Sequence, residues 1–262
     1  GNADGPRVAI IGSGPSGSFA AKEILRTVDG SKVDVFDKLP VPYGLLRFGV
    51  AADHQGTKTV EAQFDKVYSN ERVRFIGNTS IDLDKGLTQL RENYDAVVLA
   101  TGAADDRALA LPGADLKHVY TAGRVTRLLN GQPDEFQTTE AAATLPELGS
   151  TVAVVGQGNV AIDLLRLLGK STEELHGSDV RDDVHGHLRE GIQRIHVIGR
   201  SPAHQAKFDP VMVRELARVP GMTHTLHGVD LAATPEGKDA RLDALRDLMN
   251  GSAALAAGGH PI

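Results

Sequence analysis

Two short glycine-rich stretches hold the chemistry that residue types and spacing alone can specify. The first, Gly12-Ser13-Gly14-Pro15-Ser16-Gly17, follows the apolar run Val8-Ala9-Ile10-Ile11 and opens an amphipathic stretch. In a strand–loop–helix setting, one glycine makes the tight turn and a second admits a pyrophosphate to the backbone. A third lets helix and sheet pack closely. The phosphates rest on the amides of the helix N-terminus. Asp37 stands 20 residues beyond Gly17, at the end of the next apolar run, where a carboxylate receives ribose hydroxyls. The second stretch, Gly156-Gln157-Gly158-Asn159-Val160-Ala161, again follows an apolar run, with Ala161 in the third place. Its next strand ends at Gly199-Arg200 instead of at an acid. A guanidinium there stacks on adenine or grips a 2′-phosphate, which favours NADP over NAD. Residue 201 is Ser, so that arginine stands alone; Lys207 and His204 are nearby cations that by themselves read as a solvated face. Thr101-Gly102 ends a later strand at the same sheet edge, either as a plain turn or as a lining of the cofactor crevice. Asp53-His54, taken alone, reads as surface polar sequence.

Loops with different endings predict two different dinucleotides, most economically a flavin and a nicotinamide coenzyme. The implied chemistry is a hydride path from NAD(P)H to FAD, with the flavin carrying the electrons and few catalytic side chains needed.

These loops must be positioned by alternating strands and helices. Strands are predicted over residues 8–11, 32–36, 73–76 and 94–100, with helices over 16–28, 57–68 and 86–91. The helix over 16–28 presents Ala20, Ala21, Ile24, Leu25 and Val28 as one stripe. Residues 37–56 form a long loop punctuated by Pro40, Pro42, Gly44 and Gly49. Beyond a short helix near 124–129 and a linker-like stretch over 131–150, a second set begins. It comprises a strand at 151–155, a helix at 160–168, a charged excursion over 170–190 and a strand at 192–199. A helix at 210–219, a strand at 222–226 and a helix from 239 complete it. The fold class is therefore α/β, with two Rossmann-like three-layer dinucleotide-binding domains, both incomplete at residue 262. The boundaries fall at 1–104 for the FAD-binding domain and 105–262 for the NAD(P)-binding domain, which lacks its last strand.

Composition narrows the functional classes. The chain has 262 residues, 28 Lys and Arg against 34 Asp and Glu, and no Cys. A net charge of −6 makes the whole chain no general nucleic-acid binder. The lack of cysteine excludes a disulfide scaffold, a redox dithiol, a cysteine nucleophile and any cysteine-ligated metal or cluster within these residues. No apolar run spans 18 uncharged residues, and no signal-like N-terminus is present. The expectation is a cytoplasmic monomer without membrane insertion and without a metal site.

The segment from Phe36 to Lys58, Phe-Asp-Lys-Leu-Pro-Val-Pro-Tyr-Gly-Leu-Leu-Arg-Phe-Gly-Val-Ala-Ala-Asp-His-Gln-Gly-Thr-Lys, closely resembles the adrenodoxin reductase-like family of NADPH–ferredoxin reductases. Both glycine loops, the run from Gln157 to Asp163, Gly199-Arg200 and Arg214-Glu215-Leu216 fit that family in the same order. The resemblance implies FAD on the first loop, on Asp37 and on backbone around Leu45, Leu46 and Gly49, with Thr101 and Gly102 contributing. It extends the candidate flavin set to Lys38, Gly44, Arg47 and Thr79. It places Asp53 and His54 near the flavin as the catalytic pair, and NADPH on Gly156, Gln157, Gly158, Asn159, Val160, Arg200 and Ser201. Electrons then pass singly to an acidic ferredoxin-like iron–sulfur protein, docked at Arg214 and Arg218. Asp37 replaces the family's usual Glu, Ser201 a second Arg, and Met212 a nicotinamide-side Glu, which leaves NADH use open. In that family a later segment closes over the flavin, so the chain reads as an N-terminal fragment. Two alternatives remain: a truncated binding protein without turnover, and an electron-relay flavin subunit of an amidotransferase-type complex.

Overall fold

A computed structural model describes residues 5–103, 105–136 and 145–258. The described residues fall into two compact units. The first runs to Asp115 and resumes at Thr126; the second takes residues 116–125 and those from 145 onward.

In the first unit, β1 (Arg7–Ile11), β2 (Lys32–Phe36), β3 (Val73–Ile76) and β4 (Ala96–Leu99) form a parallel sheet in the order β3-β2-β1-β4. Ile11 is opposite Phe36 on one side and Leu99 on the other, so three strand ends meet at one sheet edge. The central strands are apolar on both faces because both faces are covered. Val8, Ile10, Val33 and Val35 pack toward Ala21 of α1 (Pro15–Thr27) and Val67 of a later helix, Glu61–Tyr68. Ala9, Ile11 and Phe36 pack toward Leu90 of the helix Lys85–Asn93. Val28 is left out of the predicted stripe, since the first helix ends at Thr27 and Val28 is exposed.

The long loop contains a short helix, α2 (Leu45–Phe48). The single helix predicted over 57–68 is instead two, α3 (Gln55–Lys58) and α4 (Glu61–Tyr68). At the break, the Thr59 hydroxyl donates to the Gly56 carbonyl. The backbone tightens to three-residue bonds there, from Ala62 to Thr59 and from Gln63 to Val60. The helix Lys85–Asn93 is α5, and α6 (Ala122–Leu129) follows β4.

In the second unit, β5 (Thr151–Val155) pairs in parallel with β6 (Arg194–Ile198). Along both strands exposed and half-buried residues alternate, and α7 (Asn159–Gly169) packs on β6. The charged excursion is partly helical, with α8 at Asp182–Arg189. Its His185 is fully buried and bonded through both ring nitrogens, to the Thr172 hydroxyl at 3.0 Å and the Leu167 carbonyl at 2.8 Å. The core of this unit joins Ile162 to Val213 and Leu216 of α9 (Pro210–Leu216) and to Leu242, Leu245 and Leu248 of α10 (Ala240–Gly258). The strand predicted over 222–226 does not form. That segment packs on α10 instead, where the Ser252 hydroxyl lies 2.7 Å from His224 Nδ1 and accepts from the His224 backbone N–H. No helix among the described residues is long and apolar enough to cross a membrane.

A charge cluster around the buried carboxylate of Asp34 braces the first sheet. Asp34 on β2 accepts both arms of its register partner Arg74 at 3.0 and 2.7 Å and the Tyr94 hydroxyl at 2.6 Å, with Arg7 at 3.7 Å. Burial pushes the Asp34 carboxyl up, but the bonds from Arg74 and Tyr94 and the arginine charges outweigh it and hold the group below its ordinary value. A depressed folded-state value means that the stabilisation is present above the unfolded-state value of about 4 and is lost as pH falls through the folded one. Asp34→Asn should therefore lower Tm at pH 7 by about 3–6 °C and narrow the gap between the Tm values at pH 7 and pH 3. An unchanged gap in calorimetry would assign the acid sensitivity to other carboxylates.

Candidate functional site

The first glycine loop joins β1 to α1, and each of its glycines answers a different constraint. Gly12 has φ +103°, and a Cβ there would stand 2.2 Å from the Ala100 carbonyl oxygen. Gly17 lies in the first turn of α1, and its Cβ would fall 1.9 Å from the Gly12 oxygen. Gly14 is the reverse case: nothing lies within 4 Å of a Cβ built on it. It caps α1, with Pro15 opening the helix and Ser16 exposed. The result is an open concavity over a helix N-terminus, where first-turn amides have no partner within the helix. A diphosphate fits such a cradle by charge and by space.

Ser13 organises the loop. It is fully buried, and its N–H and hydroxyl both donate to one oxygen of Asp37, at 2.8 and 2.6 Å. Its carbonyl accepts from the Tyr43 N–H at 3.0 Å and from the Ser18 hydroxyl at 3.1 Å. The other Asp37 oxygen accepts from the Leu39 N–H at 2.9 Å. Asp37 thus stands at the end of β2, as its spacing predicts, and is already the clamp of the loop. A carboxylate has about four acceptor positions, and three are taken in this arrangement. Thr79 lies on the same edge, its N–H donating to the Asp37 carbonyl at 2.8 Å. Lys38 points to an ion pair with Asp134 at 2.9 Å.

The long loop folds back onto this structure. Gly44 has φ +49°, and its Cβ would meet the Cα of Gly14 at 3.0 Å. Leu46 is buried while Leu45 is exposed, and the Gly49 N–H closes α2 on the Leu45 carbonyl at 2.7 Å. Asn130, just past α6, donates to the Phe48 and Val50 carbonyls at 3.3 and 3.0 Å. Arg47 lies over the Tyr43 ring at 5.3 Å and within 3.6 Å of Glu61. Burial, then the Asp65 hydrogen bond and charge, raises the Tyr43 phenol; burial pushes Tyr68 up to about 12. Asp53 and His54 follow α2, both half-buried, with the His54 N–H on the Ala51 carbonyl at 2.9 Å. Thr101 and Gly102 are exposed at the end of β4, Gly102 with φ +67°. Sequence reasoning missed Ser13, Tyr43, Asp65, Tyr68 and Asn130 as builders of this site. Ser13 lay inside the glycine motif and Tyr43 inside the Phe36–Lys58 segment; the others carried no local signal.

The second loop joins β5 to α7. Gly156 has φ +126° with open space around it, and Gly158 caps the helix, with only the Lys207 Cβ in reach at 4.0 Å. The Gln157 side chain lies across Gly199, where a Cβ would come 2.2 Å from its Oε1, and its Nε2 donates to the Ser201 carbonyl at 2.8 Å. Asn159 accepts the Asp209 N–H at 2.7 Å, whereas Val160 is exposed. Arg200 is exposed, and among the described residues no carboxylate forms an ion pair with it. α9 ends at Leu216, Arg218 lies exposed in the turn that follows, and Arg214 is paired with Asp247 at 2.6 Å. Among the described residues no cluster of three His, Asp or Glu could hold a metal ion.

Two parallel-sheet lobes, each with a glycine loop opening a helix at the strand ends, are the Rossmann-like architecture. The chain belongs to the pyridine nucleotide-disulphide oxidoreductase family, whose profile matches residues 6–231. Within it, the adrenodoxin reductase-like resemblance is borne out. The chain is 40% identical over 239 residues to cindoxin reductase of Citrobacter braakii, covering 91% of this chain and 50% of that protein. It is 37% identical over 247 residues to the NADPH-ferredoxin reductase FprA of Mycobacterium leprae, covering 92% and 50%. The solved structure of Mycobacterium tuberculosis FprA in complex with NADPH superposes with a TM-score of 0.83 at 34% identity, over 94% of this chain and 56% of that one. The chain spans about half the length of the curated relatives it matches.

The glycine geometry yields a stability test. Gly14→Ala should cost about 1 kcal/mol or less, as its side chain enters open space. Gly17→Ala should cost about 3 kcal/mol, because helix and loop must separate. Equal costs in urea unfolding would contradict the close approach at Gly17.

Proposed function

We propose that this chain is the dinucleotide-binding part of an FAD-dependent oxidoreductase that passes electrons from NADPH to a ferredoxin-like iron–sulfur protein. The observation that carries the reading is the pair of open glycine loops ending in opposite charges: a carboxylate beside the first, and beside the second an exposed guanidinium that no carboxylate among the described residues pairs. The relatives named as NADPH-ferredoxin reductases support it.

FAD belongs on the first loop. In the loop of Gly12, Gly14, Pro15, Ser16 and Gly17, the N–H groups of Gly14, Ser16 and Gly17 take its pyrophosphate, since Pro15 has none and the Gly12 N–H is held by the Phe36 carbonyl. The remaining acceptor position of Asp37 takes a ribose hydroxyl. Leu45, Leu46 and Gly49 present backbone beside that loop; Lys38, Gly44, Arg47, Thr79, Thr101 and Gly102 complete the set. Asp53 and His54 border the flavin. NADPH belongs on the second loop, from Gly156 to Val160, with Arg200 on the 2′-phosphate and Ser201 beside it. Held by these residues, FAD would supply the two-electron and one-electron redox chemistry that the protein's own side chains lack. The chain's own groups orient both dinucleotides and neutralise their phosphates. We also place the protein in the cytoplasm as a monomer, on the sequence reading alone.

Gly14→Trp should fold and lose FAD, because it fills the space through which the pyrophosphate reaches the backbone. A folded mutant that retains stoichiometric flavin would sink the assignment. Arg200→Ala should cut the NADPH-over-NADH preference in kcat/KM by about 10- to 150-fold, and Ser201→Arg should raise it. An unchanged ratio in Arg200→Ala would mean that the phosphate is not recognised there.

The acidic partner is proposed to dock near Arg218 and Arg214, with Arg218 the more accessible charge. The double charge reversal to Glu should slow ferredoxin reduction, most at low salt, and spare a small neutral acceptor. Equal slowing of both acceptors would place the lesion in folding or hydride transfer.

A further inference from the structure

We propose that Tyr43 is a positioning residue for the first glycine loop, latched in place by the carboxylate of Asp65. Tyr43 has φ +88°, in the left-handed region that a residue with a Cβ avoids unless its surroundings hold it there. The backbone consequence is specific. In this conformation the Tyr43 N–H reaches the Ser13 carbonyl at 3.0 Å, and the following Gly44 is set against Gly14. The turn therefore forms one wall of the cradle over the helix N-terminus.

What holds the unfavourable backbone is the side chain. The Tyr43 ring is buried, 6.0 Å from Phe64 and 5.8 Å from Tyr68 between centroids, with the Arg47 guanidinium over it. Its hydroxyl donates to Asp65 Oδ1 on α4. Packing alone lets the ring slide or tilt, whereas a directional bond to a charged acceptor on a separate helix fixes its far end. With that end released, the backbone can relax toward negative φ, which swings the N–H away from Ser13 and loosens the loop. Asp65 is solvent-exposed, so losing its partner leaves no buried charge, and the latch can be removed cleanly. The role in cofactor binding rests on the flavin reading above; the effect on the loop does not.

The test pairs amide hydrogen exchange in flavin-free protein with FAD titration. Tyr43→Phe, which keeps the ring, and Asp65→Leu should each speed exchange of the amides in residues 12–18 and raise the FAD Kd by about tenfold. Amides of β4 should keep their protection. The double variant should be no worse than either single one, and Asp65→Asn, which keeps an acceptor, should behave nearly as wild type. The proposal is overturned if loop exchange is unchanged in both single variants. It also falls if all amides speed up together with a fall in Tm, or if Asp65→Asn is as impaired as Asp65→Leu. If loop exchange responds as expected but wild type takes no FAD, the flavin reading fails and the latch stands.

Discussion

The paired bonds from Ser13 to a single oxygen of Asp37 join the end of β1 to the end of β2, and the first site is built outward from them. They bury a serine with both of its donors satisfied, so the loop has one shape and not several. That shape turns the Ser13 carbonyl toward Tyr43 and Ser18, brings the long loop against Gly14 and leaves the helix N-terminus uncovered. The parallel register beneath does the rest, since Ile11, Phe36 and Leu99 are level and their loops emerge together.

The second loop solves the same problem with a neutral group. Gln157 crosses Gly199 and bonds to the Ser201 carbonyl, fixing the turn after β6 without a carboxylate. A cation at Arg200 is therefore not neutralised by the group that organises its loop. The two sites share a strand–turn–helix geometry and differ in electrostatic sign at the strand end. On the proposed function, that difference, more than the glycines, separates the site assigned to a ribose from the one assigned to a 2′-phosphate.

Around the first site the polar groups are unusually interdependent. Tyr43, Asp65, Tyr68, Ser18 and Ser13 form a chain of contacts from α4 to the glycine loop, roofed by Phe64 and Arg47. Such networks resist partial change because each buried donor depends on the next. Asp34 and its arginines brace the same sheet.

The sequence by itself determined the strand–glycine–helix order, both loops and their contrasting ends. Those features are local: the apolar runs of β1 and β5 mark strands whether or not both faces end up buried, and tight turns demand glycine wherever they occur. It also marked the loop from Pro40 to His54 through its resemblance to one family. Tertiary structure decided the rest. That Asp37 clamps Ser13 depends on how far a short side chain reaches across two strands. Tyr43 reads as an ordinary loop aromatic until α4 brings Asp65 to its hydroxyl, 22 residues away in sequence. Spacing alone marks Arg214 as a free surface cation, whereas Asp247 on α10, 33 residues away, pairs with it. The segment 222–226 has strand-like composition, yet it packs on a helix and pairs with no strand. Periodicity reports what a residue's neighbours along the chain need; partners across the fold are set by packing between elements, which leaves no trace at a single position.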